Sequence, residues 1–79
     1  MNNEEKSMYI KFSQIDSYYK FHNAASKIDK DVCVKCGHWS VDGKSLMGLF
    51  SIDFSNGAIV YYPEDATDFE EVLKEINEN

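Results

Sequence analysis

Two turn signals, Asp42-Gly43 and Asn56-Gly57, enclose a stretch with room for only one short element. Lys44 and Ser45 open it, and Leu46, Met47, Leu49 and Phe50 follow at once. The pattern predicts a short helix starting at Ser45. The serine hydroxyl would then lie where free backbone N–H groups and the positive end of the helix dipole point outward. A phosphate there would be stabilised by the same features, although a plain capping serine would also explain the residue. The apolar residues are too many for one buried stripe. One or two should face solvent and form a docking patch, unless all of them pack inside.

Around this segment the hydrophobic period switches repeatedly. Met8, Ile10 and Phe12 alternate with Tyr9 and Lys11, which predicts a first strand over 8–12 after a polar, frayed segment 1–7. Asp16 or Ser17 could cap the helix that follows, where Tyr18, Phe21, Ala25 and Ile28 form one stripe. Val32 and Val34 alternate with Cys33 and Lys35. Gly37-His38 then turns the chain into a return strand, Trp39-Ser40-Val41. Ala58 to Tyr62 is the strongest strand by propensity, and Pro63 ends it. Thr67-x-x-Glu70 matches a capping box ahead of the stripe Phe69, Val72, Leu73 and Ile76. The order β-α-β-β-α-β-α, without repeats or linkers, predicts an α+β fold with one antiparallel sheet and helices on one face.

Composition narrows the function. The 79 residues make one domain, expected over 8–79, which buries only roughly 60% of its unfolded surface. Net charge is −6 and the chain contains no arginine. That opposes binding to nucleic acid or to an anionic membrane, and it leaves no bidentate phosphate clamp. No secretory apolar region and no run of about 20 apolar residues occurs, so a cytoplasmic location is expected.

Cys33-Val34-Lys35-Cys36-Gly37-His38 has the look of a zinc knuckle, but a second ligand pair is missing and strand residues three apart face opposite ways. A redox Cys-x-x-Cys normally opens a helix, whereas this one ends a strand. His22 lies beside the first helical stripe with no metal or base partner near it in sequence. No spacing singles out a catalytic triad or a nucleotide loop. No metal, no cofactor and no enzymatic activity are expected.

Three blocks carry a further signal: Ala25-Ser26-Lys27-Ile28-Asp29-Lys30-Asp31-Val32, Gly43-Lys44-Ser45-Leu46-Met47-Gly48-Leu49-Phe50-Ser51-Ile52, and Gly57-Ala58. In these the chain resembles the HPr family, the small phosphocarriers of the bacterial sugar phosphotransferase system. The similarity runs from about residue 24 to the C-terminus. It implies an open-faced β-sandwich with a four-stranded antiparallel sheet and three helices on one face. In the family, a histidine in a Gly-x-His-x-Arg-Pro motif takes a phosphoryl group from enzyme I and passes it to enzyme II proteins. Counting back from Ala25 puts Gln14 at that histidine, Asp16 at the arginine and Ser17 at the proline. An amide cannot carry the phosphoryl group, and an aspartate repels it.

The resemblance also implies a second site. In Gram-positive relatives the serine matching Ser45 is phosphorylated by an HPr kinase/phosphorylase. Catabolite-repression HPr proteins keep this serine, have glutamine in place of the active histidine, and act as corepressors of a transcription regulator. The Gln14 and Ser45 pair resembles theirs. Lys44, Leu46, Met47 and Phe50 would then form a partner-binding surface. The expected function is regulatory protein–protein contact, with a kinase-type enzyme, a transcription regulator or phosphotransferase-system proteins as partners. Two alternatives stay open: a phosphocarrier using His22 or His38, and an unrelated binding module of the same fold.

Overall fold

The computed structural model describes residues 4–77. The elements are β1 (Glu5–Ile10), α1 (Ile15–Ala25), β2 (Cys33–Cys36), β3 (Trp39–Asp42), α2 (Leu46–Phe50), β4 (Ala58–Pro63) and α3 (Thr67–Ile76), with a 3₁₀ turn at Phe54–Asn56. The strands form one antiparallel sheet in the order β1-β4-β2-β3. The α+β order and the open-faced sandwich expected from the sequence are both present.

Strand alternation sets the core. Register aligns Met8 with Val60, Val60 with Val34, and Val34 with Val41, so one apolar row crosses all four strands beneath the helices. Phe21 and Ala25 of α1, Leu49 of α2, and Phe69, Leu73 and Ile76 of α3 close over this face. The Phe21 and Phe69 rings meet edge to face at 5.3 Å, which joins α1 to α3. The opposite residues of each strand, including Tyr9, Lys35 and Tyr61, lie on the uncovered face. There the Lys35 ammonium sits 5.5 Å from the centre of the Tyr61 ring.

Turn chemistry follows the local residues. Gly37, at φ 62°, allows the two-residue hairpin that pairs Cys36 with Trp39. Gly57 has φ 91°, and a Cβ added there would come 2.1 Å from the Tyr9 hydroxyl oxygen. The positive φ favours glycine at this position, and a larger residue would also have to displace the exposed Tyr9 ring.

Several boundaries differ from expectation. β1 runs from Glu5 to Ile10 instead of 8–12, so residues 5–7 of the expected frayed segment pair with Pro63, Tyr62 and Tyr61. The Glu4 carbonyl before them accepts from the Glu64 N–H at 3.2 Å, and residues 1–3 lie outside the described residues. Phe12 falls beyond the strand but still turns inward as the alternation requires, stacking on Phe54 at 4.5 Å. Neither Asp16 nor Ser17 caps α1. Gln14 holds the cap position without a side-chain bond, its carbonyl accepts from the Ser17 N–H at 3.0 Å, and Ser17 is buried. The helix stops at Ala25, and Ile28 reaches the core from the turn beyond it. The capping box is not formed either. Ala66 precedes α3, and the Glu70 carboxylate turns away to bond Tyr62 and Lys6.

Candidate functional site

The α2 segment is built by short-range hydrogen bonds. The Asp42 carboxylate accepts from the Lys44 N–H at 2.9 Å, and the Asp42 carbonyl accepts from the Ser45 N–H at 3.0 Å. This Asx-type turn delivers Ser45 to the helix start in extended conformation, at φ −95° and ψ 115°. The Ser45 hydroxyl accepts from the Gly48 N–H at 3.1 Å, so the residue is the helix cap. At the other end Ser51 returns its hydroxyl to the Gly48 carbonyl at 2.6 Å.

One turn of helix cannot bury four large side chains. Leu49 enters the core and Leu46 is half-buried, while Met47 is 85% exposed and Phe50 42% exposed. Phe50 stacks on Tyr18 at 4.9 Å and meets Tyr19 edge-on at 5.8 Å. Tyr18 is held in turn by its hydroxyl, which donates to the Ile52 carbonyl at 2.9 Å. The exposed end of α2 is thus fastened to α1 through aromatic rings.

The expected site residues do not converge. Lys44 is half-buried, and its ammonium donates to the Ile28 carbonyl beyond the end of α1. It braces the α1–β2 connection and is turned away from solvent. Gln14 and Asp16 lie exposed at the head of α1, and among the described residues no hydrogen bond or ion pair joins either of them to Ser45. His22 is half-buried in the last turn of α1, and His38 is exposed in the β2–β3 turn. The Cys36 thiol donates to the Gly57 carbonyl at 3.5 Å on the core side, and Cys33 faces the open side of the sheet. Among the described residues no group of three or more His, Cys, Asp or Glu side chains could hold a metal ion.

Three exposed side chains escaped the sequence reading: Ile15, Tyr19 and Trp39. Ile15 and Tyr19 fall off the buried stripe of α1, and that periodicity was the available signal. Trp39 stands on the edge strand β3, where its indole N–H donates to the Ser51 hydroxyl at 3.2 Å. A second network was also missed. Tyr62 and Lys6 both bond the Glu70 carboxylate, at 2.8 and 3.2 Å. Burial, reinforced by Glu70, pushes the Tyr62 hydroxyl up to about 12. The bond from Tyr62, and then that from Lys6, holds Glu70 below its ordinary range.

A cleft of about 380 Å³ opens between the end of α1 and the start of α3, floored by Ile28, Phe69 and Val72. Its charges are mixed, and Lys30 is already 3.8 Å from Asp65.

No protein-family model and no curated protein matches the chain. Solved structures do. The phosphocarrier protein HPr from Bacillus anthracis str. Ames superposes with a TM-score of 0.70 at 21% identity, covering 96% of this chain and 100% of that one. This chain has the HPr fold. HPr-C-His from Thermoanaerobacter tengcongensis agrees, with a TM-score of 0.69 at 24% identity over 94% of this chain and 90% of that one. In this HPr-like fold Gln14 stands at the head of α1 and Ser45 at the head of α2. Among the described residues no helix is long and apolar enough to cross a membrane.

Proposed function

We propose that this chain is an HPr-like protein of the phosphotransferase system that does not carry phosphoryl groups. It acts by regulatory contact with other proteins, and Ser45 is its phosphorylation switch. The observation that carries this reading is Gln14 at the cap of α1, the place the resemblance assigns to the phosphoryl-accepting histidine. The carboxylate of Asp16 in the same first turn disfavours an added phosphate there. The residues around Ser45 support the other half of the reading. A phosphate on Ser45 adds roughly −1.5 to −2 charge at the start of α2, within one helical turn of exposed Met47. Such a charge can exclude one partner and recruit another.

Incubation with an HPr kinase and ATP, read by intact mass and site mapping, tests the proposal. One phosphate on Ser45, absent from Ser45→Ala, is the expected result. A parallel incubation with phosphoenolpyruvate and enzyme I should leave His22 and His38 unmodified. Acid-labile phosphate on either histidine would restore the carrier reading.

A further inference from the structure

The sheet has a face that no helix covers, and register fixes its rows. Tyr9, Ile59, Lys35 and Ser40 form one row across the four strands, and Ser7, Tyr61, Cys33 and Asp42 form the next. Alternation places Lys11 beyond the first row and Glu5, opposite Pro63, beyond the second. The middle is largely apolar. Tyr9 is 54% exposed and lies over Gly57, and Ile59 and Tyr61 are half-buried beside it.

Charge divides along the strands. Lys11 and Lys35 hold one end of the face, Glu5 and Asp42 the other, and all four are exposed. Asp31, ahead of β2, and Glu64, after β4, add to the acid end, and His38 lies in the turn at the lysine end. A surface with opposite charges at its two ends is its own complement. A two-fold axis in the plane of the face, running across the strands, turns each end onto the opposite end of a second copy. It sets Lys11 opposite Glu5 of that copy and Lys35 one strand away from its Asp42, and the apolar middle meets itself. An axis along the strands would set lysine on lysine, so the charges select one arrangement. Sheets stack at about 10 Å, a gap that lysine and glutamate side chains span.

We infer that the open face of the sheet docks a second copy of this chain. Strands of four to six residues make a face smaller than the roughly 800 Å² per partner of a standard interface. The dimer is therefore weak and fills at chain concentrations on the order of 0.1–1 mM. The helices lie on the other side of the sheet, so Ser45 stays outside the contact and the inference stands apart from the regulatory reading.

Sedimentation equilibrium of the full chain over that range tests it, with a reducing agent to keep both cysteines as free thiols. Monomer and dimer should both appear. Lys11→Glu and Glu5→Lys, each alone, set like charges opposite one another at two places in the dimer and should weaken association roughly tenfold. An equal mixture of the two variants pairs opposite charges again at both places and should recover the association of the parent. Recovery would also show that neither variant had lost its fold. A chain that stays monomeric throughout, association unmoved by either substitution, or a mixture no stronger than the single variants would overturn the inference.

Discussion

The Tyr62 hydroxyl on β4 donates a 2.8 Å hydrogen bond to the Glu70 carboxylate on α3. Lys6 of β1 reaches the same oxygen at 3.2 Å, so the bond ties both outer elements to the central strand. Tyrosine ordinarily titrates near 10, and here the folded-state value is pushed up to about 12. The neutral hydroxyl is therefore favoured by folding. Its contribution is complete below pH 10 and disappears as pH rises through 12. Glu70 is lowered, so its contribution is present above the usual carboxylate range and is lost as pH falls through the folded-state value. Thermal melts across alkaline pH should show stability falling in the upper window, with a shallower fall in Tyr62→Phe. At neutral pH that variant should be less stable by about 1 kcal/mol.

This network also shows where sequence reading stops. The Thr67-x-x-Glu70 spacing satisfies a local capping rule, yet Glu70 is claimed by Lys6, 64 positions away. The start of β1 was hidden for a related reason. Glu5, Lys6 and Ser7 have no apolar alternation, and an edge strand can be built from such residues because β4 supplies the pairing. The alternation at Val32–Val34 and Ala58–Tyr62, and the stripe from Phe69 to Ile76, were legible because burial on one face acts on adjacent residues. The candidate site divides the same way. The crowding of Leu46 to Phe50 showed in the sequence that some of these residues must face solvent. The bond from Lys44 to Ile28, and the meeting of Tyr19 with Phe50, depend on how α1 and α2 pack.

Ser45→Ala should cost about 1 kcal/mol, because it strands the Gly48 N–H that the hydroxyl now satisfies at 3.1 Å. The helix has only five residues and little intrinsic stability. Ser45→Asp keeps an acceptor at the cap and should stay closer to the parent. Urea midpoints of the three proteins would check this. An unchanged midpoint for Ser45→Ala would mean that the hydroxyl is free for modification at no cost to the helix.

Gly57→Ala meets two separate penalties. A side chain at φ 91° costs on the order of 1–3 kcal/mol, and the new Cβ would sit 2.1 Å from the Tyr9 hydroxyl oxygen. Tyr9→Ala removes the collision and leaves the backbone strain. In a double-mutant cycle the Gly57→Ala loss should therefore shrink in the Tyr9→Ala background without vanishing. Strictly additive losses would show that the tyrosine swings aside freely.

Phe54 is the hub of an aromatic cluster and Phe50 lies at its rim. Phe54 is fully buried, with Phe12, Tyr18 and Phe21 centred 4.5, 5.4 and 5.9 Å away. Phe50 joins the cluster through a 4.9 Å stack on Tyr18, meets Tyr19 at 5.8 Å and is 42% exposed. Phe54→Ala removes a ring from the densest part of the core and should cost about 3–5 kcal/mol, a large share of the stability of so small a domain. Phe50→Ala loses a stacking contact and part of one buried face, which amounts to about 1 kcal/mol. Denaturant melts should separate the two variants by several-fold in lost free energy. Equal losses would make Phe50 a core residue held in place by packing, and α2 would then have only Met47 and Leu46 to offer a partner.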